Sequence, residues 1–197
     1  MKLGILFSGG KDSNYALFKA NKSDEVTVLI SLDSKNEESY MFHTPIEEVD
    51  KQAKRLGIPL IKIKTEGEKE KELEDLKKAI KEAKKYYAIE GIVTGAVAST
   101  YQASRIQRIC DELDLWCFNP LWQMNQERLL RDLIKNRFKF KIVKVAADGL
   151  DDSWINKIID KKAVEDLIRL SKKYRFNVAF EGGEAETEVI DSPMFKK

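Results

Sequence analysis

Short apolar runs alternate along this chain with stretches in which apolar residues recur every three or four positions, a pattern that predicts strands joined by crossover helices in a parallel sheet. Leu3-Gly4-Ile5-Leu6-Phe7 is the first run, and Asn14-Tyr15-Ala16-Leu17-Phe18 after it is helix-like. Residues 26–32 form a continuous apolar run of the kind buried on both faces. Pro45 suits the first turn of a helix whose Ile46, Val49, Ala53 and Leu56 share one face and which Gly57 ends. Residues 60–63 read as a short strand. Leu73, Leu76, Ile80, Ala83 and Tyr87 then line a long helix whose Lys and Glu residues make a solvated face. A strand over 91–95, a helix through Tyr101, Ile106, Ile109 and Leu113, and a strand over 115–118 complete a five-stranded, doubly wound, mainly parallel α/β domain spanning residues 1–120.

Beyond Pro120 the texture changes. A helix over 126–136, an alternating strand from Phe138 through Val145, a helix over 162–173 and a strand over 187–190 predict a smaller α+β domain over residues 121–197. The joint is Asn119-Pro120-Leu121-Trp122, where proline interrupts regular structure. Trp116 and Trp122 read as packing residues, in the core or between domains, and Trp154 is left unassigned.

Composition narrows the class. At 197 residues with 43% apolar content, the chain holds enough apolar surface for a buried core. Its 35 basic residues against 33 acidic ones give a net charge of +2, which argues against a protein whose main task is to neutralise nucleic-acid phosphates. Cys110 and Cys117 match neither a C-x-x-C redox pair nor a zinc knuckle, so both are expected to be buried thiols in a reducing compartment. With no long apolar run and no signal-peptide pattern, the expectation is a soluble, cytoplasmic protein without a membrane partner.

Two segments carry chemistry. Ser8-Gly9-Gly10-Lys11-Asp12-Ser13 lies between a strand and a helix start. Paired glycines let the backbone turn sharply and approach an oxyanion, and the helix start aims free N–H groups at it. Lys11 adds positive charge, and Ser8 and Ser13 add hydroxyl donors. The nucleoside-triphosphatase loop G-x-x-x-x-G-K-[ST] is excluded by Ile5 and Asp12, and a dinucleotide-binding G-x-G-x-x-G does not occur. The second segment, Phe180-Glu181-Gly182-Gly183-Glu184-Ala185-Glu186-Thr187, puts three carboxylates around a Gly-Gly pair. Such a cluster either holds a cation, metal or substrate-borne, or is a solvated acidic turn before a strand. A single histidine, His43, rules out a Ser-His-Asp nucleophile.

Residues 8–13 resemble the S-G-G-x-D-S loop of the PP-loop ATP pyrophosphatase superfamily, and residues 180–187 resemble the G-E-G-G-E-[YF]-E-T signature of one branch, the diphthine–ammonia ligases. The resemblance continues through Ser39-Tyr40-Met41-Phe42-His43-Thr44, Gly95-Ala96-Val97-Ala98-Ser99-Thr100-Tyr101-Gln102 with Arg105, Pro120-Leu121-Trp122, Gly149-Leu150 and Asn177. Two positions depart from it: Phe180 stands at the usual first glycine and Ala185 at the usual aromatic.

That resemblance implies an adenine nucleotide alpha hydrolase-like fold and an ATP-dependent ligase that forms AMP and pyrophosphate. It would adenylate the diphthine carboxylate of translation elongation factor 2 and amidate it with ammonia. Ser8, Gly9, Gly10, Lys11, Asp12 and Ser13 would bind the phosphates of ATP, with Asp12 also holding Mg²⁺. Gly95 and Ser99 would lie beside the nucleotide, and His43 would contact the adenosine or the substrate. Tyr101, Gln102 and Arg105 would hold the carboxylate, the alternative being helix capping by Ser99 and an apolar face through Tyr101. Glu181, Gly182, Gly183, Glu184, Glu186 and Thr187 would bind the substrate, and Lys11, Asp12, Arg105, Glu184 and Glu186 would be catalytic. A homodimer is one arrangement left open. Two other readings stand beside the ligase: a PP-loop enzyme that modifies tRNA, which would commonly carry C-x-x-C pairs or a basic appendage, and a non-catalytic adenine-nucleotide-binding protein.

Overall fold

The structure, a computed structural model, describes residues 1–34, 46–68 and 70–196; His43 and the loop around it lie outside them. The chain divides into two compact units, one comprising Met1–Trp122 with Phe195–Lys197 and the other Gln123–Met194.

The first unit is built on β1 (Lys2–Leu6), α1 (Lys11–Ala20), β2 (Glu25–Ser34), α2 (Ile46–Leu56), β3 (Leu60–Thr65), α3 (Lys71–Tyr87), β4 (Gly91–Val93), α4 (Thr100–Glu112) and β5 (Trp116–Phe118). Its strands form one sheet in the order β3-β2-β1-β4-β5, and every neighbouring pair is parallel. The predicted five-stranded α/β fold is therefore the observed one. β1 and β2 read as apolar runs because central parallel strands are covered on both faces. Leu6, Val28, Ile30, Leu32 and Ile92 pack with Leu76, Ala79, Ile80 and Ala83 of α3 and Ile106, Ile109 and Cys110 of α4 in one core. By strand alternation Ile5, Leu29 and Val93, all fully buried, point the other way, toward the side of α1 and α2. The order reverses between β1 and β4, so the loops leaving those two strands open a crevice at their carboxyl ends.

The edges behave differently. β5 has only three residues, and its Trp116 is 67% exposed, against the expectation that it packs in the core or between domains; Trp122, beyond the strand, is 37% exposed. An outermost strand has no neighbour on one side, so its large side chains are not forced inward. β3, the other edge, exposes Lys62 and Lys64. Cys110 is buried and Cys117 half-buried, and both are free thiols. A mutual hydrogen bond and burial push the Cys110 thiol well above its ordinary range.

The second unit contains α5 (Gln126–Lys135), β6 (Lys139–Val145), a single 3-10 turn (Asp152–Trp154), α6 (Lys161–Tyr174) and β7 (Ala185–Asp191). β6 and β7 pair antiparallel. Leu129, Leu130 and Leu133 of α5 and Ala163, Val164, Leu167 and Ile168 of α6 are buried, as are Phe140, Ile142 and Val189 of the strands. Both helix starts are capped, α5 by Asn125 and α6 by Asp160, whose side chains accept from Arg128 and Ala163 amides. Arg131 of α5 makes a two-pronged ion pair with Glu165 of α6 at 3.0 and 3.1 Å. Trp154, unassigned from the sequence, is buried.

Ile80 lies at the centre of the first unit's core and is fully buried. Ile80→Ala is expected to destabilise the protein by about 2–5 kcal/mol, seen as a lower urea midpoint with little change in slope.

Candidate active site

The turn after β1 is held from behind by two buried amide side chains. Gly9 takes a left-handed φ of 79°, and Gly10, at φ −75° and ψ 172°, precedes the first residue of α1. Asn14 Nδ2 donates to the carbonyls of Gly9 at 3.2 Å and Gly10 at 3.0 Å, and also to Gln52 Oε1 at 3.0 Å. Gln52 Nε2 in turn donates to the Gly9 carbonyl at 3.0 Å. With the carbonyls anchored to the protein, the amides of the first turn of α1 are left facing outward. Gly10 offers no side chain to cap them. Polar burial concentrates here: Lys11, Ser13, Asn14, Gln52 and Thr94 are all buried. Ser8 Oγ donates to Ser13 Oγ, which donates to the Gly10 carbonyl. Asn14 and Gln52 were not foreseen as site residues; a glutamine inside the apolar stripe Val49, Ala53 and Leu56 was the available signal.

Lys11 is 1% exposed, and its ammonium lies 2.7 Å from Asp12 Oδ2. The second Asp12 oxygen, Oδ1, is buried and has no hydrogen-bond partner. Burying a carboxylate oxygen away from any donor is unfavourable, so the site has a place for a positive group at that atom.

The loop after β4 closes against this turn. A Cβ on Gly95 would stand 2.8 Å from the Ser13 amide nitrogen and 2.9 Å from the Asp12 carbonyl carbon, so the chain can only pass there as glycine. Thr94 shapes the bend: its hydroxyl donates to Asn119 Oδ1 at 2.5 Å and accepts from the Ala96 amide at 3.1 Å. Ser99 caps α4, its Oγ accepting from the Gln102 amide at 3.3 Å. One turn into α4, the Arg105 guanidinium stacks 3.6 Å over the Tyr101 ring. Arg105 Nε and Nη2 and the Tyr101 hydroxyl all donate to Glu70 Oε1, at 2.8, 2.6 and 3.0 Å. Burial first, and the Glu70 carboxylate second, push the Tyr101 phenol above its ordinary range. Thus Ser8 to Ser13 and Gly95 form one contiguous site, with Ser99, Tyr101, Gln102 and Arg105 on the element that continues from it.

In the second unit the acidic segment is a tight turn organised by one of its own carboxylates. Glu184 Oε1 accepts from the Asn177 amide at 2.9 Å and Nδ2 at 2.7 Å, and Oε2 accepts from the Gly182 amide at 2.7 Å. A side chain on Gly182 would meet Glu184 Oε1 at 2.9 Å, and Gly183 has φ 83°. β7 begins at Ala185, so Glu186 and Thr187 belong to the strand: Thr187 is buried, and Glu186 lies 3.5 Å from Lys144 across the ladder. Glu181 is half-buried at the turn's start. Glu181, Glu184 and Glu186 therefore do not converge on a cation, and no group of three His, Cys, Asp or Glu side chains among the described residues is placed to hold a metal ion. No helix among the described residues is long and apolar enough to cross a membrane.

Comparison with known proteins gives this geometry a family. Residues 1–116 match the family described as diphthamide synthase N-terminal domain, and residues 125–197 match the diphthamide synthase C-terminal domain. The human protein named diphthine–ammonia ligase is 36% identical over an alignment that takes in 100% of this chain and 81% of that protein. Its Danio rerio counterpart of the same name is 32% identical, with 100% of this chain and 85% of that protein covered. A solved structure described as a predicted tRNA methyltransferase subunit from Methanocaldococcus jannaschii superposes with a TM-score of 0.50 over 98% of both chains at 20% identity, a likeness that concerns the fold alone. With both domain families matched in order and relatives above 30% identity along its whole length, the chain belongs to the diphthine–ammonia ligase family of enzymes.

Proposed function

We propose that this protein is an ATP-dependent ligase that adenylates the carboxylate of diphthine on translation elongation factor 2, releasing pyrophosphate, and then forms the amide with ammonia, releasing AMP. The observation that carries the reading is the uncapped start of α1, where outward amides, a buried Lys11 and a partnerless Asp12 oxygen meet beside Gly95. This is a phosphate site with charge of both signs, as a nucleotide and its counter-ion require.

In this reading the backbone amides of residues 10–13 and the hydroxyls of Ser8 and Ser13 bind phosphate oxygens, and Lys11 offsets the charge that grows on the leaving pyrophosphate. Asp12 would hold a Mg²⁺ ion through its Oδ1. Mg²⁺ there would supply charge neutralisation at the phosphates. Gly95 allows the nucleotide side of the loop to close on Ser13, and Ser99 caps the helix that presents Tyr101, Gln102 and Arg105. Arg105 and Tyr101 hold the substrate carboxylate so that its oxygen is directed at the α-phosphorus; that oxygen displaces pyrophosphate, and ammonia then displaces AMP with loss of a proton. The catalysis is positioning and electrostatic stabilisation, which needs no side-chain nucleophile. In the second unit Glu184 serves by fixing the Gly182-Gly183 turn.

The decisive experiment is incubation with ATP, Mg²⁺ and ammonium, with and without diphthine-bearing elongation factor 2. AMP and pyrophosphate dependent on the modified factor are expected. ADP and phosphate would overturn the proposed bond cleavage, and AMP indifferent to the factor would overturn the proposed substrate.

Three substitutions test individual residues. Arg105→Ala is expected to lower kcat/KM for the modified factor by roughly 10- to 150-fold, the loss of a charge-assisted hydrogen bond of about 1.5–3 kcal/mol, while unfolding stability changes by less than about 1 kcal/mol. Gly95→Ala should weaken ATP binding at least about tenfold, measured by calorimetry, because the added methyl must push the Asp12–Ser13 backbone away. Glu184→Ala leaves two backbone amides without their acceptor and should cost about 1–3 kcal/mol, with faster hydrogen exchange at Asn177 and Gly182.

A further inference from the structure

Glu70 stands immediately before α3 with a left-handed backbone, φ 68° and ψ −37°. That conformation is unfavourable for any residue with a Cβ and persists only where the surroundings impose it. At the N-cap position a side chain ordinarily accepts from the first-turn amides, yet Glu70 makes no cap hydrogen bond. Its carboxylate reaches instead to α4, where two guanidinium nitrogens of Arg105 and the Tyr101 hydroxyl converge on a single oxygen. The Arg105 guanidinium carbon lies over the Tyr101 ring, 3.6 Å from its centre. A planar, stacked guanidinium beside a phenol is a receptor for a carboxylate, and in this structure it holds one that belongs to the chain itself.

Resting on the reading of Arg105 and Tyr101 as the pair that holds the substrate carboxylate, we infer that Glu70 is an internal carboxylate seated in that same site, which the substrate displaces as it binds. Glu70 keeps the guanidinium neutralised and stacked while no substrate is present. It also sets a threshold, because an incoming carboxylate must interact with Arg105 and Tyr101 more favourably than Glu70 does. Exposure sets the size of that threshold: the Glu70 side chain is 56% exposed and that of Arg105 32%. Ion pairs so open to water are weak, so the internal competitor raises the apparent dissociation constant by a few-fold, to about fivefold at most, and does not close the site.

Glu70→Gln removes the charge at nearly constant size. Glu70→Gly removes the carboxylate and suits the left-handed backbone, so it is expected to keep or raise thermal stability and separates displacement from unfolding. With diphthine-bearing elongation factor 2 as the varied substrate and pyrophosphate release as the readout, both variants should lower KM for the factor by about three- to fivefold, with KM for ATP as the internal control. An unchanged or raised KM for the factor in both would overturn the inference. Arg105→Ala run in parallel separates the two ideas. If it leaves the KM for the factor unchanged, the carboxylate-holding role of Arg105 fails and Glu70's role with it. If it raises that KM while neither Glu70 variant lowers it, only the role of Glu70 fails. Phenylglyoxal labelling of Arg105, followed by peptide mass spectrometry, gives a readout free of turnover: labelling should be faster in Glu70→Gln than in the unsubstituted protein, and equal rates would overturn the inference.

Discussion

The carbonyl oxygen of Gly9 is the point that fixes the turn after β1. Two buried amide groups, from Asn14 on α1 and Gln52 on α2, donate to it, and the same two side chains bond to each other. A buried network of this kind is strong when complete and expensive to break, since removing either amide strands its partners without solvent. It joins α1 and the turn that leads into it to α2, 38 residues further along the chain. With that oxygen turned inward, the backbone has one way left to direct its N–H groups, and Gly95 can lie directly against the Asp12–Ser13 peptide.

The sheet was readable because its strands are covered on both faces: β1 and β2 had to be continuous apolar runs, and β4 carried a glycine-bounded one. The turn after β1 was equally readable, since Gly9 needs its positive φ and the residues after it start a helix. What escaped is what depends on distance. Glu70 meets Arg105 and Tyr101 across 35 and 31 positions, and nothing local marks the pairing. Gln52 was hidden by the apolar stripe it interrupts. The three C-terminal carboxylates looked like a cluster because the strand was taken to begin at Thr187; it begins at Ala185, and alternation along β7 sends Glu186 toward Lys144 while Glu184 folds back on its own turn. Trp116 was misjudged because side-chain type says nothing of whether a strand lies at an edge.

Phe180 is a buried residue that holds a left-handed backbone conformation. It stands where the family resemblance has glycine, and it adopts φ 66°, the conformation a glycine would take there without cost. For phenylalanine the left-handed region costs about 1–2 kcal/mol. The ring is 7% exposed, and burying it contributes about 1.5–3 kcal/mol, enough to offset the strain. The turn thereby keeps the path that lets Glu184 reach the Gly182 amide.

The two borders of the five-stranded sheet also decide how the protein behaves among many copies of itself. A parallel sheet ends in unpaired peptide groups on each side, ready to template another chain. One border is β5, three residues long, too short to register a stable partner, and the other is β3, studded with Lys62 and Lys64, whose charges repel a like strand. Both borders therefore discourage edge-to-edge pairing of this sheet with a second copy of itself.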